Sequence, residues 1–161
     1  MTISMDRLLA HMAWANQQII SKLNELPDEA LKAYVVNPEW TVAEILRHIL
    51  SSADWLGSHL TGEPKSVFTQ PISMREMDEF SKKAAIFDDR LLRASAVPDG
   101  EVTYEANGKS VTHIRSTILS QAIHHATEHR AQLVSALELR GFTNINLDHL
   151  SMWGFEANIK K

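Results

Sequence analysis

Residues 120–135 read SQAIHHATEHRAQLVS, and the angular placing of their histidines and apolar side chains decides the fold. On a helix advancing about 100° per residue, His125 and His129 fall about 40° apart, inside the arc of Ile114, Ile118, Ala122, Leu133 and Ala136. Both therefore point towards a core. His124 lies about 100° from His125, beside Ser120, Thr127 and Ala131, on the wetter side, and is not counted as a ligand. Two histidines four residues apart can bring their rings to one ion. Without an ion, each neutral ring buries a donor and an acceptor, and protonating one ring beside the other adds desolvation and repulsion. A polar patch of hydrogen-bonded rings fits the same spacing, so spacing alone does not choose.

A third ligand has to come from another helix, because one helix cannot surround an ion. His48 is the best candidate, at the edge of the apolar face of Ile45, Ile49, Ser52 and Leu56. His59 shares roughly that face, but eleven residues place it about 16 Å further along the axis, so the two cannot share an ion. His11, His113 and His149 read as surface or capping residues.

Outward from this stretch, the helical period runs from Thr112 through Ile118, Ala126 and Leu137, with Arg140 and Gly141 marking its end. Asn107-Gly108, between Val102 and Val111, is a tight-turn dipeptide and predicts a small hairpin before this last long helix. Met5, Leu8, Leu9, Met12, Ile19, Ile20 and Leu23 predict a first helix ending near Pro27. Thr41 and Glu44 have capping-box spacing and open a second helix to about Leu60; Ser73 and Glu76 repeat that spacing before a third, through Phe80, Phe87 and Leu92. The tail from Phe142 to Lys161, with Trp153 and Phe155, reads as a short docking segment. Four helices with one long connection predict an all-α four-helix bundle with a β-hairpin between helices three and four, a fold that builds its sites between facing helices.

Composition narrows the partners. At 161 residues, 44% hydrophobic and 22% charged, the chain can bury a core, and residues 1–161 read as a single domain. A net charge of -4 and a pI near 6.0 offer no basic surface for nucleic acid. The chain has no cysteine, which excludes disulfides, thiolate ligands and a thiol nucleophile of its own. Met1 to Met12 carries Asp6 and Arg7 and lacks the apolar core of a signal peptide, and no apolar run reaches membrane-spanning length. A cytoplasmic protein without a membrane partner is expected.

Three segments in order, HMAWAN at 11–16, TVAEILRH at 41–48 and HATEHRAQ at 125–132, resemble the DinB-like (YfiT-like) family of metal-dependent enzymes. That family is unrelated to the DNA polymerase sharing its name. The resemblance spans nearly the whole chain. It implies an up-down-down-up bundle with a long crossover, a nickel or zinc ion and frequent homodimers. It also implies that the helix-two histidine and both histidines of a His-x3-His-Arg-Gly-Gln string carry the metal, here His48, His125 and His129. Ala131 departs from the usual glycine, which bears on helix packing and not on a ligand.

Three neutral imidazoles leave a divalent ion its full charge and an open position, the arrangement of a catalytic site. Some relatives resemble transferases acting with low-molecular-weight thiols, so thiol S-transfer to a small-molecule substrate is the first expectation. Hydrolysis is the alternative, because HATEH also fits the His-x-x-Glu-His string in which the glutamate, here Glu128, serves as base. The protease fold itself is discounted, because such proteins take a further carboxylate from far downstream, and Glu138 and Glu156 are the only glutamates after His129. Glu128 sits near the rim of the face, where a surface ion pair is the competing role. A third class is a non-catalytic metal-binding or ligand-binding module. Asn16 and Gln132 fall near interior arcs despite being polar, and at least one is expected to hold a ligand histidine or the open side of the ion.

Overall fold

A computed structural model describes residues 4–160. It is mostly helical, with α1 (Met5–Leu23), α2 (Val42–Thr61), α3 (Met77–Ser95), the strands β1 (Glu101–Ala106) and β2 (Lys109–Ile114), α4 (Arg115–Glu138) and α5 (Met152–Ile159). No described helix is long and apolar enough to cross a membrane. α1 lies against α3 and α4, and α2 lies against the same two helices. Their apolar stripes close on one continuous core that includes Leu9, Ile20, Leu46, Phe87, Leu91 and Leu133. Fully burying each such side chain contributes about 1.5–3 kcal/mol.

The ends of the elements follow local chemistry. Thr41 caps α2 by accepting from the Glu44 amide, but the Glu44 carboxylate turns to Arg47 instead of closing the box. At Ser73 both halves of the capping box form, and they cap a 3-10 turn, Met74–Glu76, that leads into α3. Asn107 (φ 52°) and Gly108 (φ 72°) make the hairpin turn, in which two successive positive φ angles match the twist of the strands. β2 continues to Ile114, so α4 begins three residues later than the apolar period alone predicts. Extended pairing with β1 wins at Thr112 and His113. Asp99 then accepts from the backbone and side chain of Ser116 and secures the first turn of α4. The tail does dock: Phe155 of α5 packs on Trp14, and His11, read as a surface or capping residue, bonds the carbonyl of Leu150 at the end of the 3-10 turn Leu147–Leu150 at 2.7 Å.

Two charged networks cross the apolar layers. Arg90 of α3 donates to Asp54 of α2 at 2.6 Å and to Glu63 at 3.0 Å. Gly57 makes room for it, since a Cβ there would sit 2.8 Å from the Arg90 Cδ. The other network joins three helices. Arg130 of α4 donates to the Asn16 carbonyl oxygen on α1 at 2.7 Å, and the Asn16 amide donates to Asp88 of α3 at 3.1 Å. Burial pushes the Asp88 carboxyl up to about 6, against the opposing pull of Asn16 and Arg130. Burial lowers Arg130 to about 10, so it stays a cation at neutral pH.

Removing one partner of such a network strands the other in a low-dielectric interior. Arg130→Ala is therefore expected to lower stability by about 3–5 kcal/mol in urea unfolding. A loss below about 1 kcal/mol, the ordinary effect of an exposed substitution, would show that the network does not couple the helices.

Candidate metal centre

His48 projects from α2 and His125 and His129 from α4, one turn apart, and the two helices pack directly on each other. One nitrogen from each ring lies within 4.8 Å of the others. The Nε2 atoms of His48 and His125 are 3.0 Å apart, and the Ser52 hydroxyl is 3.3 Å from the latter. Ligand nitrogens on one divalent ion at about 2.0–2.1 Å stand roughly 3.0–3.4 Å from each other. The His48–His125 separation falls at the edge of that range and the third ring has a nitrogen within 4.8 Å of both, so the three histidines are close enough to bind one metal ion.

A chain of hydrogen bonds sets the third ring. The Trp40 indole, which can only donate, gives its N–H to Oε1 of Gln132 at 3.0 Å. That contact identifies the amide oxygen, which also lies 2.9 Å from Nδ1 of His129. Nδ1 must therefore carry the proton, and the lone pair is left on Nε2. Trp40 further packs edge-on against His48 and His129, with ring centroids 5.1 and 5.6 Å away. It closes one side of the cluster. Sequence reasoning overlooked Trp40. The available signal was an aromatic residue just before the α2 cap, where apolar side chains fold back on the helix start.

A cavity of about 410 Å³ opens from His48, lined also by Ser51, Ser52, Asp54, Trp55 and Lys65. Trp55 forms a wall of it and Trp14 packs elsewhere, on His11 and Phe155, so neither plugs the centre. Burial lowers the pKa of His48, with His129 and Arg47 adding to the effect. His125 is lowered to about 4, by burial first and then by His129 and His48. Both rings are neutral at pH 7, as ligands must be.

The remaining candidates lie apart. Asn16 belongs to the Asp88–Arg130 network and makes no hydrogen bond to the three histidines. Glu128 is exposed on α4 and does not line the cavity. His124 is exposed, and His59 stacks on Tyr104 of β1 with centroids 4.2 Å apart. Ala131 lines a separate cavity behind Trp40, beside Val35, Val36 and Ile45.

The profile of the DinB family matches residues 1–157. The chain belongs to the DinB family. It is similar to Protein DinB of Bacillus subtilis (strain 168), 22% identical over 156 residues, or 89% of this chain and 90% of that protein. No solved structure gives a significant match. In this DinB-family chain the matched span contains all three histidines, together with the Trp40 and Gln132 that orient one of them.

His48→Ala, His125→Ala and His129→Ala are each expected to remove most bound metal, measured by elemental analysis of protein purified without a nickel column. His124→Ala and His59→Ala are expected to keep it, and a full complement in His48→Ala would refute the triad. Gln132→Leu frees the His129 tautomer and is expected to weaken metal binding about 10–100-fold. Because the lowered pKa values weaken competition by protons, metal release on acidification is expected below pH 6.5, the ordinary histidine value. In metal-free protein, the unfolded chain takes up the His125 proton near pH 6.5 and the folded chain only near 4. Its contribution to stability is therefore present above pH 6.5 and is lost as pH falls through that window, which denaturation at a series of pH values measures.

Proposed function

We propose that this chain is a metal-dependent enzyme of the thiol S-transferase type, holding nickel or zinc on His48, His125 and His129 and acting on a low-molecular-weight thiol. The observation that carries the reading is the asymmetry of the centre. Trp40 packs against His48 and His129, while His48 also lines a cavity large enough for a small molecule. Imidazole donors suit both metals, and an all-histidine set leaves the ion its whole charge. Once bound, such an ion supplies a positive centre that favours the anionic form of a thiol.

The residues around it hold and shield. Gln132 fixes the direction of the His129 ring, and Trp40 packs edge-on against His48 and His129. Ser51 and Ser52 offer hydroxyls along the cavity wall, where they can orient a polar substrate. With no cysteine in the chain, the reacting sulfur must arrive with the substrate. In the transfer, the thiol releases its proton to water, its sulfur forms a bond to an electrophilic carbon, and the leaving group departs with the electron pair of the broken bond and takes up a proton from water. Hydrolysis has less support, because Glu128, the residue considered as its base, is exposed and outside the cavity. The packing of α1 and α2 on α3 and α4 is read in the same spirit as the up-down-down-up bundle of the family.

Metal-loaded protein, metal-free protein and the His125→Ala variant, each given a panel of cellular thiols and a generic electrophile, test the reading. Metal-dependent consumption of electrophile with at least one thiol is the expected result. Rates equal to the uncatalysed background for every thiol would overturn it, and metal-dependent cleavage of ester or amide substrates in the same samples would favour hydrolysis.

A further inference from the structure

One charged side chain lining the cavity beside His48 has no salt-bridge partner among the described residues. Asp54 lines it, but its two oxygens are taken by Arg90 at 2.6 Å and by the Ser66 amide at 2.6 Å. Glu63 is held by Arg90 and Arg93. Arg47, next to His48, is engaged by Glu44. Lys65 lines the same cavity and, among the described residues, forms no ion pair. Its place is not accidental to the fold, because the bond from the Ser66 amide to buried Asp54 ties the segment after α2 down onto that helix. The charge of Lys65 also reaches α2, where it adds to burial in lowering the pKa of His59.

We infer that the cavity selects small molecules bearing an anionic group, such as a carboxylate, which pairs with Lys65 while the reactive atom of the same molecule faces His48 at the edge of the cluster. This rests on the reading of the cavity as the substrate site of a metal centre. Asp54 and Glu63 are engaged by Arg90 and by Arg93, which Asp89 shares, and neither carboxylate pairs with Lys65, so an incoming anion can take that place. A cationic molecule meets repulsion from both Lys65 and a bound ion. Lys65 is exposed, so the pairing is one of modest strength that salt weakens.

The test uses cobalt(II)-loaded protein, with binding read by the absorption of the ion and by calorimetry rather than by turnover. One series of ligands is 3-mercaptopropionate, 2-mercaptoethanol and cysteamine, and a parallel series without sulfur is glycolate, ethylene glycol and ethanolamine. The anionic member of a series is expected to bind about three- to fivefold tighter than the neutral one, and the cationic member weakest. Lys65→Ala is expected to bring the anionic ligand to the level of the neutral one, Lys65→Glu to reverse the order, and Lys65→Arg to preserve it. Thiols that bind without a charge order, or an order unchanged in Lys65→Glu, would overturn the inference while leaving the thiol reading intact. A Lys65-dependent order in the sulfur-free series alone would uphold the inference and count against the thiol reading. No binding in either series would overturn both.

Discussion

The buried charge of Arg130 constrains the rest of the molecule. A guanidinium inside an apolar core needs polar partners from the elements around it, and here they are Asn16 on α1 and, through Asn16, Asp88 on α3. That requirement fixes the rotation of α4 about its own axis. With Arg130 aimed at α1 and α3, the preceding residue, His129, is turned about 100° away. His125 follows one turn back on the same side, towards α2. The histidine-bearing face of α4 and its structural face are thus two consequences of one orientation.

Facing helices bring the rings together, but they do not decide which nitrogen each ring offers. For His129 that is set by Gln132 on α4 itself and, through it, by Trp40 ahead of α2. The segment before α2 carries Trp40, whose indole donates to Gln132, and Gln132 in turn settles the tautomer of His129. A donor-only group at the head of this chain propagates its direction to a lone pair two bonds away. On the opposite side, the Asp54–Arg90 pair anchors both α3 and the segment after α2, and so shapes the cavity over the cluster. One ionic network therefore orients the ligands, while the other frames the approach to them.

Much of this was legible beforehand, and the misses have physical causes. The helical period placed His125 and His129 on an inward face, the position of His48 at the edge of an apolar stripe made it the candidate partner, and one nitrogen from each ring lies within 4.8 Å of the others. The same period carried α4 back to Thr112, because it cannot register a strand partner that competes for those residues. Asn16 was expected near the histidines from its inward arc. An inward polar residue has several buried partners to choose from, and Asp88 and Arg130 lie nearer. His11 reads as a surface or capping residue, and nothing local reveals that the carbonyl it meets belongs to Leu150 of the returning tail.

By itself, then, the sequence determined what short-range physics controls: which segments are helical, where Thr41, Ser73 and Asn107-Gly108 start or turn them, and which histidines share a face. Only the tertiary structure decided what depends on residues far apart in the chain. Trp40 and Gln132 are separated by 92 positions and His48 and His125 by 77, yet both pairs are within hydrogen-bond distance. The reason is directional. Periodicity reports which way a side chain points from its own helix, whereas a tautomer, a closed rear wall and an open cavity depend on what the opposing elements place in front of it.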